Sequence, residues 1–294
     1  MNMVQSEYEI QYKAKLLETF KFTVDFLNSH NLRWFAAYGT AIGAVRHGGL
    51  IPWDDDIDIF MPFKDYHKLS GLASELKNTK YQLTTADDSG NHCLYDKIVD
   101  TTTTIYEVRG WPFISGVWVD IFPLYGCNFS EEEYAKVRKK YQFLMDLYRK
   151  SIRRYSSYDW KYILKGIHIM KLYGGLCGLL LRPFSLRIAE KFKRLEKNIN
   201  EVNATKYVFF YEDENDYFER EWFDDYTEVA FEGFKVRLPN GNHEILTQIY
   251  GDYMTPPPVD KRVSTHTLYY VNLKERLTFE EIEQRIKQGK DREY

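Results

Sequence analysis

The stretch YGTAIGAVRHGGLIPWDDDIDIFMP, residues 38–62, decides how the chain is read. Four carboxylates, Asp54, Asp55, Asp56 and Asp58, stand within five residues and run straight into the apolar segment 57–61. In an extended strand successive side chains alternate faces. Asp54, Asp56 and Asp58 are therefore expected on one face, with Asp55, Ile57 and Ile59 on the other. Asp56 and Asp58 would stand side by side while the isoleucines anchor the core. Like charges so close repel, and burying them unpaired is costly. A hard divalent cation relieves both problems, and Mg2+ (or Mn2+) is typically held by one or two carboxylates together with substrate phosphates. A solvated acidic turn capping a helix is the plain alternative, although such turns rarely continue into a strand whose alternate residues are aspartate. Asp55, on the opposite face, is expected to be solvated or salt-bridged.

Upstream, residues 33–37 read as a short buried strand closed by Gly39, and residues 40–48 as a helix stopped by Gly48-Gly49. A glycine at such a junction lets a phosphate approach the backbone, where the N–H groups and the helix N-terminus favour its negative charge. Gly39-Thr40 is thus a candidate phosphate cradle. Alone the dipeptide carries almost no weight; followed by a helix and an Asp-x-Asp strand, it supplies the parts for phosphoryl or nucleotidyl transfer. Arg46 and His47 are further substrate-binding candidates, since an arginine can grip a phosphate with two N–H groups; ordinary surface contacts explain single basic residues equally well. Downstream, Asp120 lies in GVWVDIF (116–122), an awkward place for a carboxylate unless a metal or hydrogen bonds satisfy it. Beside the strand 57–61 it would complete a three-carboxylate site, bridging metals or taking a proton from an attacking hydroxyl. Asp56, Asp58 and Asp120 are accordingly the candidate catalytic residues, and Asp54, Asp56, Asp58 and Asp120 the candidate metal ligands. Lys97, alone in the apolar segment 94–99, is a weaker candidate phosphate ligand.

The rest of the 294-residue chain bounds this picture. It is 44% hydrophobic and 17% aromatic, which excludes a disordered protein. No apolar run reaches the roughly 20 residues of a membrane span, and the first 18 residues lack the apolar core of a signal peptide. Cys93, Cys127 and Cys177 form no C-x-x-C, so neither a zinc site nor a disulfide framework is indicated, and a reducing, cytoplasmic setting is expected. The net charge of −3 hides an asymmetry: residues 136–197 hold 17 Lys/Arg against 4 Asp/Glu. Apolar spacing predicts an amphipathic helix over 8–30, further helix over 65–76, and strands at 81–85, 94–99, 103–108 and 117–122. Residues 130–200 read as almost wholly helical, broken at Gly174-Gly175 and Pro183. A hairpin is expected around Pro239-Asn240-Gly241, and a last helix over 278–287 stopped by Gly289. The mixture without a βαβ rhythm indicates an α/β (α+β) class. No clean boundary shows, but three parts are expected: a catalytic core over 1–129, a basic helical insertion over 130–200, and a part over 201–294 completing the core and acceptor site.

The segment GTAIGAVRHGGLIPWDDDIDIFMP resembles the signature of the LicD-type phosphocholine transferases, related to the fukutin-type phosphotransferases. VWVDIFPLYG is similar to that family's second block, and WFDDYTEVAFEGFKVRLPN with YGDYMTPPPVDKR to its closing part. The resemblance implies a nucleotidyltransferase-like mixed sheet core with a mainly helical insertion, a divalent cation, and transfer of a phospho-alcohol from CDP-choline or a similar CDP-alcohol to a sugar hydroxyl of a glycan acceptor such as a lipopolysaccharide or teichoic acid precursor. The family's metal-binding aspartates match Asp54, Asp56 and Asp58, and its later acidic position matches Asp120. Tyr125 departs from the pattern, where the family favours aspartate. Cation–π contact with Trp53, Trp111 or Trp118 would suit choline, although core packing explains these residues as well. A metal-dependent glycosyltransferase and a non-catalytic membrane-surface adaptor are the rival readings; no nucleic-acid partner is expected. Residues 161–197 combine basic charge with the apolar run 176–181, a pattern suited to peripheral contact with an anionic membrane at its inner face, where a lipid-linked acceptor would lie. A solvated basic face on a helical layer is the alternative. His266, Asp260 and Arg262 lie in a family-like loop without an assigned role.

Overall fold

Helix α1 (Glu7–Ser29) begins where Ser6 and Glu9 cap each other, side chain to backbone in both directions. It buries Tyr12, Leu16, Phe20, Val24 and Leu27 along one stripe. The computed structural model describes residues 6–88, 90–154, 169–197, 199, 203–210, 215–264 and 268–294. After α1 come β1 (Phe35–Ala36), α2 (Tyr38–Arg46), β2 (Asp58–Pro62), α3 (Phe63–Gly71), β3 (Tyr81–Thr84), β4 (Asp96–Tyr106) and β5 (Ser115–Cys127). A helical layer follows, α4 (Glu131–Ile152), α5 (Ile169–Leu181) and α6 (Ser185–Lys197). The chain then returns through β6 (Lys206–Val208), β7 (Tyr217–Glu219), β8 (Tyr226–Phe231), β9 (Phe234–Pro239), α7 (Asn242–Tyr250), β10 (Tyr270–Asn272), α8 (Phe279–Lys287) and β11 (Arg292–Glu293).

The mixed α/β class is the one expected. The main sheet runs β1-β2-β5-β4-β10-β11, with β3 on β4 and β6-β7 on the far end of β5. β2 and β5 pair in parallel, β4 and β5 antiparallel. One sheet face packs Ile59, Met61, Val119, Ile121 and Ile98 with the buried stripe of α1. The other carries Phe35, Phe60, Phe122, Leu124 and Tyr95 into a second, aromatic cluster. The helical layer has its own core, in which Tyr141, Leu144, Met145, Ile188 and Phe192 meet Tyr125, Val208 and Phe210.

Several local expectations are corrected. The strands expected at 94–99 and 103–108 are one strand, β4, whose pairing with β5 slips between Asp100 and Ile105. The hairpin turns at Glu232-Gly233, both at positive φ (47° and 84°), rather than at Asn240-Gly241. Gly241 instead leads into α7 beneath Trp222, whose side chain fills the space a Cβ would need. Helix α5 runs through Gly174-Gly175 and ends only before the short turn Arg182–Phe184 that holds Pro183. Cys93 and Cys127 are buried, Cys177 only partly. His266 and residues 155–168 of the insertion lie outside the described residues.

At the slipped register Gly116 lies against the backbone of β4: a Cβ there would overlap Asp100 O and stand 2.8 Å from Thr103 Oγ1. Neither neighbour is free to yield, because Thr103 Oγ1 accepts the Val117 N–H and donates to Asp100 O. Gly116→Ala should destabilise the protein by at least about 2 kcal/mol in denaturant unfolding; a wild-type midpoint would contradict this packing.

Candidate active site

Cross-strand partners present their side chains on one face of a sheet. Asp58 on β2 is directly opposite Asp120 on β5, and Asp120 is directly opposite Lys97 on β4. The three make a single row across the sheet, all buried. The strand of Asp120 thus lies beside that of Asp58. Phe60 and Phe122 follow on the same face and close the row off from the protein interior.

Burying that row depends on Lys97. Its Nζ stands 3.0 Å from Asp120 Oδ1, 3.4 Å from Glu107 Oε1 and 4.1 Å from the centre of the Trp118 ring. Trp118 Nε1 donates to Asp120 Oδ2 at 2.9 Å. Burial pushes the Asp120 carboxyl above its ordinary value, against the pull of Lys97. Burial acts in the same sense on Glu107, but there Lys97 and His92 prevail and bring the carboxyl down to about 2. Lys97, expected as a phosphate ligand, is instead engaged by two carboxylates. Behind Glu107, the buried His92 stacks on Trp111 at 3.8 Å, with Nε2 3.5 Å from both Cys93 Sγ and Glu107 Oε2. His92, Cys93 and Glu107 lie close enough to share an ion, but the ammonium of Lys97 already supplies the cation there.

The alternation expected over residues 54–59 holds only from Asp58 onward, because β2 begins there. A turn closed by Asp54 N–H to Ile51 O (3.0 Å) brings the chain in, and 54–57 follow as irregular loop. Freed from strand geometry, Asp55 does not face away. Carboxylate oxygens of Asp54, Asp55 and Asp56 come within 4.8 Å of one another, and Ser264 Oγ donates to Asp55 Oδ2 at 2.6 Å. These three are half-buried. An all-carboxylate oxygen set is the donor chemistry a hard divalent cation takes, so the loop fits Mg2+ or Mn2+.

Gly39 and Thr40 position these carboxylates. Tyr38 adopts a left-handed φ of 43°, which turns the chain from β1 into α2. A Cβ on Gly39 would stand 2.5 Å from Asp54 Oδ2, so the place where a phosphate was expected against the helix N-terminus is taken by Asp54 itself. Thr40 Oγ1 accepts the Asp58 N–H at 2.9 Å, Ala37 N–H donates to Asp58 O at 3.0 Å, and Asp120 N–H donates to Ile57 O at 2.9 Å. The strand end of the acidic segment is thereby tied to α2 and β5.

A cationic rim gathers around Trp53, next in sequence to Asp54. Arg46 donates to Tyr253 O at 2.7 Å and to His47 Nε2 at 3.0 Å. Arg46 and Arg262 lie over the ring of Trp53 at 5.9 and 5.1 Å. Burial, then the charges of Arg46 and Arg262, lower the His47 pKa and keep the ring neutral. Beside this rim opens a cavity of about 510 Å³, walled by Tyr8, Tyr12 and Lys13 of α1, by Trp53, Asp54 and Asp55, by Arg262 and Ser264, and by Arg292 of β11. Of the three tryptophans near the motifs only Trp53 lines it. Tyr250 approaches the site from α7; the residue is exposed overall, but burial around its phenol, then Asp58, Asp216, Asp54 and Asp56, raise it well above its ordinary value. Glu107 and Tyr250 escape a reading by motif, since sequence-distant residues carry no local signal.

Comparison with known proteins supplies the remaining observations. The family model "LicD/FKTN/FKRP, nucleotidyltransferase domain" matches residues 31–155. The lipopolysaccharide cholinephosphotransferase LicD of Haemophilus influenzae is 28% identical over 245 residues, covering 78% of this chain and 84% of that protein. An uncharacterized protein of Rickettsia prowazekii is 26% identical over 225 residues, 72% of this chain and 83% of its own. The human ribitol 5-phosphate transferase FKRP is 38% identical over 50 residues, 17% of this chain and 10% of that protein.

Two measurements probe this arrangement. Thr40→Val leaves the buried Asp58 N–H without an acceptor and should cost about 1–3 kcal/mol in denaturant unfolding. Burial opposes the charged form of His92, but Cys93 and Glu107 outweigh it and raise the imidazole from 6.5 to about 9. A raised imidazole adds stability that is whole below its unfolded pKa and disappears as pH climbs through the folded one. Unfolding free energy should therefore fall by on the order of 2 kcal/mol between pH 6.5 and about 9, and His92→Gln should flatten that step.

Proposed function

We propose that the chain, whose residues 31–155 match the LicD/FKTN/FKRP nucleotidyltransferase domain, transfers phosphocholine, or a related phospho-alcohol, from a CDP-activated donor to a hydroxyl of a cell-surface glycan precursor. Relatives named for phosphocholine and ribitol phosphate transfer support a phosphotransferase acting on glycans. The observation that carries the proposal is the row Asp58–Asp120–Lys97, set beside three loop carboxylates, with Arg46 and Arg262 gathered over the neighbouring Trp53. Acidic and cationic groups close together suit a diphosphate whose charge must be held and released.

In this scheme Arg46 and Arg262 grip the donor diphosphate. Both guanidinium groups lie over Trp53, so that ring serves the phosphate side rather than choline. The cluster Asp54, Asp55 and Asp56, with Asp58 at the head of β2, would hold Mg2+ (or Mn2+), whose charge would neutralise the leaving CMP. Asp120 orients the acceptor hydroxyl and accepts its proton; burial makes it a better base than a solvated aspartate, while Trp118 and Lys97 fix its direction. The hydroxyl oxygen bonds to the choline-bearing phosphorus as the bond to the CMP oxygen breaks, in line. We place the reaction in the cytoplasm, with a lipid-linked glycan as acceptor.

CMP release from CDP-choline tests the scheme. Asp58→Asn and Asp120→Asn should each lower turnover by roughly 10²–10³-fold, and chelation followed by Mg2+ should abolish and restore it. Gly39→Ala meets only the flexible end of Asp54, so it should stay folded yet lose turnover by displacing that carboxylate. Undiminished turnover in Asp58→Asn would refute the proposal.

A further inference from the structure

We infer that the elbow between α5 and α6 is a docking surface for an anionic lipid bilayer. Over positions 175–181, where burial along α5 is described, the pattern is inside out for a helix packed in water: Gly175 and Gly178 are buried, while Leu176, Leu179 and Leu180, spaced three and four apart, point outward. The glycines let its backbone approach the helical layer, and the leucines are left in solvent. The turn Arg182–Phe184 extends this patch with Phe184, and α6 begins with Leu186; Leu180 is 74% and Leu186 78% exposed. A folded domain gains nothing by presenting such residues to water, and apolar patches of this kind mark interaction sites.

Charge selects the occupant. Arg182 and Arg187 are exposed at the elbow, and Arg187 lies over the Phe184 ring at 5.9 Å. Further along α6, Lys191 and Arg194 join Lys140 of α4 around a groove of about 450 Å³ whose apolar lining includes Phe143. Among the described residues none of these three cations takes part in an ion pair. Exposed leucines flanked by arginine and lysine match an interface with acyl chains below and anionic headgroups above. A second copy of the chain fits poorly, because a two-fold contact would set the same positive charge against itself. No helix among the described residues is long and apolar enough to cross a membrane, so the elbow lies on the bilayer. None of these residues belongs to the transferase site, and the inference stands apart from the chemistry proposed there.

Cosedimentation of the full chain with phosphatidylcholine vesicles, with and without phosphatidylglycerol, tests it. Binding should require phosphatidylglycerol and weaken as salt rises. Leu180→Glu combined with Leu186→Glu, and separately Lys140→Glu with Lys191→Glu and Arg194→Glu, should each weaken binding by roughly tenfold or more, with unchanged unfolding temperature because all the replaced side chains are exposed. Equal binding to neutral vesicles, or binding that survives both variants, would overturn the inference. So would a concentration-dependent dimer in wild type that the leucine variant abolishes, since the patch would then be covered by another copy.

Discussion

Two carboxylates set opposite one another on adjacent parallel strands, out of water, repel strongly, and a sheet that contains them must supply the compensating charge. Here the pairing of β2 with β5 creates the problem at Asp58 and Asp120, and the antiparallel pairing of β5 with β4 answers it by bringing Lys97 into the same row. The ammonium is shared with Glu107, which engages His92 in turn. One buried cation thus connects the strand that carries the acidic loop to the interior beneath it. Replacing it with a neutral residue would strand two carboxylates, a change that typically costs about 3–5 kcal/mol. The same register sets which side chains can approach a substrate, so stability and the layout of the site are not separable.

How far residues 38–62 speak for themselves follows from which forces act locally. The helix over α1, the strands around Asp58 and Asp120, and the turn at Gly39 are legible because periodicity and glycine chemistry are short-range signals. Asp55 was assigned to the wrong face because alternation was extended into residues that are not strand; the turn from Ile51 to Asp54, held by one backbone hydrogen bond, ends the period. The role of Gly39 was half legible. Its missing Cβ does make room for negative charge, but Asp54 is the group that arrives. Lys97 was visible as an oddity in an apolar strand, yet its partners come from other segments that only the sheet register brings near. Tyr250 comes near the acidic loop by tertiary folding alone, for which no local pattern exists.

Tyr125 shows how a departure from a family pattern can be absorbed. The phenol is buried at the end of β5 and donates to Glu196 Oε1 on α6 at 2.5 Å. Burial raises the Glu196 carboxyl to about 8, so at neutral pH the contact is mostly between uncharged groups. An aspartate in this place would confront another carboxyl group; tyrosine provides a proton and an aromatic face for Phe63 and Phe210. The helical layer is joined to the sheet through this residue, further along the same strand that carries Asp120.

The walls of the large cavity come from opposite ends of the polypeptide. Tyr8 and Lys13 on α1 face Arg292 on β11, and the ring of Tyr8 lies 5.7 Å from that of Tyr294. Strand β11 is held by β10, and β10 by β4, so that wall is assembled only after the central sheet exists. During synthesis, therefore, a nascent chain can emit its acidic loop long before it owns the far wall of the cavity.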